Sequence, residues 1–467
     1  MSQLKLTNTL GGNVEPFEPL EEGHVRMYTC GLTVYNRGHI GNFRTYVSQD
    51  VLRRYLKYKG YRVTQVTNFT DVDDKTIAGA RKAGIPLREY TQQYIDNFFE
   101  DCAALNIEKS EYYPRATDQE YLDAMVALVQ KLEERGHTYE SDGSIYFKVD
   151  SFPDYGKLSR IDVAGMKAGV RVDADEYTKE NARDFVLWKA PKDGEDSWDT
   201  AIGPGRPGWH LECSAMGMKI LGETFDLHAG GVDLVFPHHE NEIAQSEGAT
   251  GKPFVRHWMH TEFLIVEGEK MSKSKGNQFN VPDLIAENYS PMAIRYLLLS
   301  VYYRQQLNFT REGLEQAATA IRRVDDFLDR LGEVTREGDA FPETAQAVKA
   351  ALERFETALD DDLNTSAALA ALFDLVKGGN TALSSSTMTK GDAEGFKGAV
   401  ERMNTVFGVF GQGKKMTLDD EVEKLIQERK EARARRDFAR ADEIRDELDA
   451  RGIVLEDTPT GTRWKQK

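Results

Sequence analysis

Along the first part of the chain, short strand-like runs alternate with longer runs of helical period. His24–Thr29 reads as a strand, and a loop follows over residues 30–38. From about Asn42, apolar or aromatic positions recur at helical spacing (Val47, Val51, Leu52, Tyr55, Leu56). Gly60 ends that helix, and residues 61–68 return as a β-branched strand. Strand, helix and strand in this order form a βαβ unit, which predicts a parallel, doubly wound sheet. Residues 118–205 read as an insertion of helices, a short strand at 144–149 and loops rich in Asp, Gly and Lys. Sheet-like patterning resumes at 207–236. From Pro282 onward the pattern is almost wholly helical, with amphipathic stretches at 312–331, 344–359 and 366–376. The Gly- and Ser-rich segment 378–386 and the loop 411–415 read as linkers. A small C-terminal unit with two helical segments and a tail from Gly452 closes the chain.

Composition narrows the class. With 467 residues, roughly three domains are expected. Apolar residues at 40% and charged residues at 29% are those of a globular protein. No run of about 18 apolar residues predicts a membrane helix. The three cysteines, Cys30, Cys102 and Cys213, are odd in number and widely spaced, which fits a reducing, cytoplasmic setting better than a disulfide framework. A net charge of −17 argues against a general nucleic-acid or DNA binder. One local basic stretch stands out: Lys424, Arg429, Lys430, Arg433, Arg435, Arg436 and Arg440 against Glu428, Glu431 and Asp437. It is either a solvated helix with internal ion pairs or a nucleic-acid surface.

Two short motifs flank the predicted sheet. Gly38-His39-Ile40-Gly41-Asn42 lies between the first strand and its helix, where backbone amides can approach phosphate and a histidine can donate to a phosphate oxygen. Lys270-Met271-Ser272-Lys273-Ser274, followed by Lys275-Gly276-Asn277, supplies two lysines, small hydroxyl residues and a glycine for a loop able to close on a triphosphate. Asp71-Val72-Asp73-Asp74 lacks the glycine and distal glutamate of a calcium loop, so helix capping is its expected role. His238 and Glu242 are one helical turn apart after Pro237 and are expected to share a helix face. Spacing alone neither joins them to Cys30 and Cys213 nor chooses His238 over His239. Cys102 reads as a core residue of a helix over residues 94–105.

The paired motifs resemble the signatures of class I aminoacyl-tRNA synthetases, and the stretches around them resemble the bacterial type of cysteinyl-tRNA synthetase. These are Cys30-Gly31-Leu32-Thr33-Val34-Tyr35, Thr67-Asn68-Phe69-Thr70-Asp71-Val72-Asp73-Asp74-Lys75, Pro207-Gly208-Trp209-His210-Leu211-Glu212-Cys213-Ser214, Gly230-Gly231-Val232-Asp233 and the longest, from Phe236 to Gln245. The resemblance continues into the tail, Gly452-Ile453-Val454-Leu455-Glu456-Asp457. One departure is Asn42, where many class I enzymes carry a second histidine.

The resemblance implies a Rossmann-like catalytic domain (1–117 and 206–265), a connective insertion (118–205), a stem-contact region (266–315), a helical anticodon-binding domain (316–410) and a small C-terminal α/β unit (416–467). It implies ATP-dependent activation of L-cysteine and transfer to tRNA(Cys), with one Zn²⁺ per chain and Mg²⁺ on the ATP. Cys30, Cys213, His238 and Glu242 are the implied zinc ligands. Two thiolates, an imidazole and a carboxylate are a donor set zinc accepts. Thr33, Thr70, Trp209 and His228 are expected to line the cysteine pocket. Gly41, Asp233 and Lys273 are expected to hold ATP, and His39, Asn42, Lys270 and Lys273 to serve catalysis. For the anticodon, Arg433, Phe438, Asp442 and Asp457 are the expected contacts, with Trp464 a further stacking surface. A monomer is expected. Two rivals are a ligase joining cysteine to an amino sugar in mycothiol synthesis and a non-catalytic synthetase-like tRNA binder. The tail argues against the first, and the intact His39, Lys273 and ligand set against the second.

Overall fold

The structure is a computed structural model. It describes residues 3–161, 183–272, 275–385, 387–411, 420–435, 437–450, 453–458 and 461–466. The chain divides into two compact units, Met1–Gly411 and Gln412–Lys467.

At the centre of the first unit is a four-stranded parallel sheet in the order Val255–Thr261, Phe225–Gly231, His24–Thr29, Arg62–Thr67. The predicted βαβ unit is present. Val25 pairs with Val63 and Thr29 with Thr67, and the helix Ile40–Tyr58 crosses between the two strands. The next strand in the sheet, Phe225–Gly231, joins the opposite edge of His24–Thr29, with Met27 opposite Leu227. Strand order therefore reverses between these two strands, and the crevice outside their carboxyl ends is where ligands bind in folds of this kind. The strand ends come close together: Gly31 lies so near the Asn68 carbonyl that any side chain would collide with it, and its amide donates to Asn68 Oδ1 at 3.0 Å.

Helices Asp74–Ala83 and Leu87–Ala104 follow the strand Arg62–Thr67. Residues 118–205 form the helix Gln119–Glu134 and the strands Thr138–Ser141, Ser144–Phe147 and Phe185–Lys189, which Arg206–Pro207 joins in an antiparallel sheet. Asp73 caps the first of these helices, as its position predicts, accepting from the Lys75 amide. Cys102 is buried in the second.

Beyond the parallel sheet, helices Val281–Ala286 and Pro291–Ser300 lead to four longer ones, Arg311–Gly332, Pro342–Asp360, Thr365–Ser384 and Lys390–Phe407. The first three cover the predicted amphipathic stretches. The linker expected at 378–386 is a correction, because the third helix continues through Gly378 and Gly379 to Ser384. Gly379 is buried, and a methyl group there would fall inside contact distance of the Phe327 ring and 3.3 Å from Phe396. The glycine admits two aromatic rings from neighbouring helices, so its conformational freedom is incidental.

The second unit contains helices Asp420–Ala434 and Phe438–Ala450 and a hairpin of Ile453–Thr458 with Gly461–Gln466. Ile444, Leu448 and Ile453 form its small core.

The two adjacent glycines should respond oppositely to alanine. Gly378 is exposed with open space around it, so Gly378→Ala should stabilise by about 0.5–1 kcal/mol through helix propensity. Gly379→Ala should lose about 1–3 kcal/mol to overpacking, minus that gain. Thermal melts of both variants should move in opposite directions from the parent.

Candidate functional site

Six buried donors converge at the crevice where strand order reverses. Cys30 follows the central strand, Cys213 comes from the helix Trp209–Leu221, and His228 from the strand Phe225–Gly231. His238, His239 and Glu242 come from the turn at Val235–His239 and the helix Glu240–Thr250. Phe236 alone departs from helical backbone there (φ −138°, ψ 131°), so the chain is helical from Pro237 onward and His238 and Glu242 share the expected face. The two side chains meet, with His238 Nε2 3.1 Å from Glu242 Oε1.

The sulfurs of Cys30 and Cys213 stand 3.9 Å apart, and Cys30 Sγ is 3.9 Å from Glu242 Oε1. Two overlapping sets have all their donor atoms within 4.8 Å of one another: Cys30, Cys213, His238 and Glu242; and Cys30, His228, His239 and Glu242. Either could hold a metal ion. The ambiguity between the two adjacent histidines is thus real in three dimensions too, since His239 Nε2 approaches Cys30 Sγ at 3.3 Å. They differ in their remaining contacts. His239 Nδ1 is 2.7 Å from His260 Nε2, whose Nδ1 is in turn 2.7 Å from Thr9 Oγ1. His238 Nδ1 meets His210 Nδ1 at 2.8 Å, while its Nε2 is buried without an aligned hydrogen bond.

Charge is crowded here. Burial opposes ionisation at Cys213, but hydrogen bonding from Cys30 and the nearness of His238 bring its thiol down to about 6. Burial and the Cys213 charge push the Cys30 thiol well up. Burial disfavours the charged forms of His238 and Glu242 as well. Cys213 and Glu242 nevertheless raise the imidazole to about 10, and His228 and His238 lower the carboxyl to about 2. His239, buried among His228, His260, His238 and His210, is held neutral. Anionic donors that repel one another and are charged only beside imidazoles are chemically suited to a divalent cation.

The two signature motifs meet at the same end of the sheet. His39 caps the helix Ile40–Tyr58 in a reciprocal arrangement: the Asn42 amide donates to His39 Nδ1 at 3.3 Å, and the His39 amide donates to Asn42 Oδ1 at 3.0 Å. The Ile40 amide donates to the Phe279 carbonyl at 2.9 Å, and His39 bridges to Asn280. A Cβ on Gly41 would be 2.9 Å from Met271 Cε, so the glycine lets the second motif lie against the first. Lys270 ends the exposed strand Glu269–Lys270, and the Ser272 amide is held by Asn277 Oδ1 at 2.8 Å. Lys273 lies outside the described residues.

Comparison with known proteins places this geometry. The family model for the class I (C) tRNA synthetase catalytic domain matches residues 16–319, a DALR domain 354–411, and the cysteinyl-tRNA ligase anticodon binding domain 416–464. A cysteine–tRNA ligase of Koribacter versatilis is 48% identical over 99% of this chain and 100% of its own. That of Solibacter usitatus is 50% identical with the same coverage. The chain belongs to the cysteine–tRNA ligase family. Among solved structures, Mycobacterium tuberculosis methionyl-tRNA synthetase with methionyl-adenylate matches with a TM-score of 0.60 at 18% identity, covering 83% of this chain and 90% of that one. An Agrobacterium radiobacter leucyl-tRNA synthetase complex matches with a TM-score of 0.61 at 11% identity, covering 85% and 86%. At such identities the likeness is one of fold.

Within this cysteine–tRNA ligase family member, the residues expected around the substrate fall on one wall. Trp209, 36% exposed, stacks on His238 with ring centroids 4.1 Å apart. Thr33 bridges Thr70 at the strand ends, and His228 Nε2 contacts Glu242 Oε2 at 3.0 Å. Asp233 is exposed at the mouth of the crevice, and its carboxylate folds against Gly231 where a side chain would collide. In the second unit, Phe438 is 61% exposed at the start of its helix. Arg433 and Asp442 are exposed, and Asp442 lies 3.4 Å from Arg445. Asp457 lies on the hairpin strand Ile453–Thr458. Sequence reasoning passed over Glu212, His210 and His260, although the first two stand inside the quoted stretch from Pro207 to Ser214. Their signal was position beside singled-out residues, which says nothing about burial.

The cap fixes a tautomer. Because Nδ1 of His39 accepts from Asn42, the neutral ring carries its proton on Nε2, the nitrogen able to donate to an oxyanion. ¹⁵N NMR of histidine-labelled protein should show His39 Nδ1 as the unprotonated nitrogen. Asn42→Ala keeps the backbone amide that donates to Nδ1 and should leave the tautomer unchanged, while losing the bond from the His39 amide to Asn42 Oδ1.

Proposed function

We propose that this chain is a zinc-dependent cysteine–tRNA ligase that forms cysteinyl-adenylate from L-cysteine and Mg²⁺–ATP and transfers the cysteinyl group to tRNA(Cys). The observation that carries the reading is the meeting of a buried thiol, imidazole and carboxylate set with the His39 and Lys270 motifs at one crevice, in a chain similar end to end to cysteine–tRNA ligases.

Cys30, Cys213, His238 and Glu242 are the proposed zinc ligands. Tetrahedral zinc with bonds of about 2.3 Å to sulfur holds two sulfurs about 3.8 Å apart. The 3.9 Å between Cys30 and Cys213 fits that spacing, and zinc would use His238 Nε2, which already faces Glu242 Oε1 at 3.1 Å. Contact between His238 Nδ1 and His210 would orient the ring from behind. When bound, zinc supplies an affinity for thiolate over a neutral hydroxyl, so that cysteine is selected over serine without an editing site.

The chain's own residues position the rest. Thr33, Thr70, Trp209 and His228 enclose the amino acid, and Asp233 is placed to take the ribose hydroxyls of ATP. The cysteine carboxylate attacks the α-phosphorus, forming the mixed anhydride as the bond to the bridging oxygen breaks and pyrophosphate leaves. His39 donates through Nε2, and Lys270 and Lys273 carry positive charge to the phosphates as negative charge builds on them. Gly41 admits the backbone approach, and Asn42 acts by holding His39. No protein nucleophile is needed. In the second step the 2′-hydroxyl of the terminal adenosine attacks the carbonyl and releases AMP. At the other end of the tRNA, Phe438 offers an open ring for stacking, with Arg433, Asp442 and Asp457 as polar contacts.

ATP–pyrophosphate exchange on the purified protein tests the reading. Exchange should depend on cysteine and be negligible with serine, and adding tRNA should yield cysteinyl-tRNA while an amino sugar acceptor yields nothing. Exchange that serine supports equally well, or none with cysteine, would refute it. Cys213→Ser should lose zinc by metal analysis and cysteine-dependent exchange together, while circular dichroism stays that of the parent. Full zinc occupancy in that variant would exclude Cys213 as a ligand.

A further inference from the structure

Glu212 is fully buried in the first turn of the helix Trp209–Leu221, between the stacked Trp209 and the donor Cys213. Among the described residues it has one hydrogen-bond partner: Thr70 Oγ1 donates to Glu212 Oε2 at 2.6 Å. Its other oxygen, Oε1, is buried without a partner. No lysine or arginine among the described residues pairs with it, and its nearest charged neighbours include Cys213, Asp71 and Asp73. A first-turn acid gains something from the helix dipole. That gain does not explain a glutamate sealed from water beside other acids, where a neutral residue of the same shape would avoid the cost of burial.

The chemical consequence lies at Thr70. A threonine hydroxyl has a single proton and two acceptor positions. Committing the proton to Glu212 leaves Thr70 Oγ1 able only to accept. The ionised carboxylate can only accept, and the neutral acid keeps the same polarity with its proton on Oε1 and Oε2 accepting. The Thr70 backbone is equally fixed, its amide donating to the Leu32 carbonyl and its carbonyl accepting from Val34, both at 3.1 Å. The result is an oriented acceptor on the wall that also carries Trp209 and Cys213. An acceptor with no donor recognises an ammonium and disfavours a carboxylate.

We propose that Glu212 is a positioning residue for the α-ammonium of the amino-acid substrate, acting by taking the Thr70 hydroxyl proton so that Thr70 Oγ1 accepts from the substrate. The inference rests on the cysteine-activating reading above, and assigns recognition of the amino end to a pair separate from the proposed metal donors that take the thiol end.

A ligand with the thiol and carboxylate but no amine separates the two ends. In the full-length, zinc-loaded protein, the KM for cysteine in pyrophosphate exchange is compared with the inhibition constant of 3-mercaptopropionate. Glu212→Met, which keeps the volume and removes both oxygens, should raise the cysteine KM about ten- to a hundredfold, the range for a lost hydrogen bond to a charged group. The inhibition constant of 3-mercaptopropionate, the KM for ATP and the zinc content should stay within about twofold. Glu212→Gln retains an accepting oxygen and should recover most of the cysteine affinity. Thr70→Val should reproduce Glu212→Met, and the double variant should be no worse than either single one. Equal weakening of both ligands in Glu212→Met, an unchanged cysteine KM, or additive effects in the double variant would overturn the positioning role alone. No cysteine-dependent exchange in the unmodified protein would instead overturn the activation reading, and this inference with it.

Discussion

The carboxylate of Glu242 is fully buried, within 3.0 Å of one imidazole, 3.1 Å of a second and 3.9 Å of a thiol. Removing an ionised group from water costs several kcal/mol unless opposite charge replaces the solvent. Everything around the crevice answers that requirement. The strand ends bring Cys30 and His228 to the pocket, the helix Trp209–Leu221 brings Cys213, and the turn before Glu240 aims His238 inward. The cluster is held by side chains from four separate elements, so each element's position depends on the balance of charge at the centre.

A second constraint carries the catalytic end of the sheet outward. The helix Ile40–Tyr58 starts at the His39–Asn42 cap and is bolted along its length. Arg44 donates to the carbonyls of Leu298, Val301 and Tyr302 at the end of the helix Pro291–Ser300, and Asp50 is bonded by Arg54 and Arg295. Burial alone would push the Asp50 carboxyl up, but those two guanidiniums and the Glu108 amide hold it below the ordinary range. Near its C-terminus, Tyr55 reaches Asp360 at 2.7 Å and Tyr58 reaches Glu356 at 2.6 Å. One rigid element therefore spans from the phosphate-facing cap to the helical part of the first unit. A displacement at either end cannot be absorbed by bending at a surface loop.

What could be read from the sequence follows from the range of the forces involved. The strand His24–Thr29 and the helix after it were legible because periodicity is local, and Asp73 was legible as a cap because a cap acts within one turn. Linker and glycine were confused at residues 378–386, since composition does not reveal that Phe327 and Phe396 fill the space beside Gly379. The helix start at Pro237 was legible, since Phe236 is the last extended residue before it. The donors of the proposed metal site were joined only through family likeness, because Cys30 and Cys213 are 183 residues apart and meet only in the folded chain. Glu212 stood in plain view between two chosen residues, yet nothing in a sequence says that a glutamate is sealed from water.

Selecting an amino acid by its sulfur changes what the remainder of the pocket must do. A shape-based pocket discriminates by filling space, and a missing or exchanged atom is worth only a modest factor. Where a metal recognises the side chain, shape is released from that task, and the walls are free to specify the two ends common to every amino acid. This fits the proposed cysteine wall, made of a flat indole, two threonines and a histidine rather than of close-packed aliphatic residues. It also explains how a pocket lined by polar groups can be stable. Thr70 is tied to Glu212, His228 to Glu242 and His238 to His210, so these three polar side chains of the proposed site are each fixed by a buried partner. Such groups have already lost their rotational freedom before substrate arrives, and binding need not order them again. The rigidity needed for selection and the burial needed for charge balance are thus supplied by the same contacts.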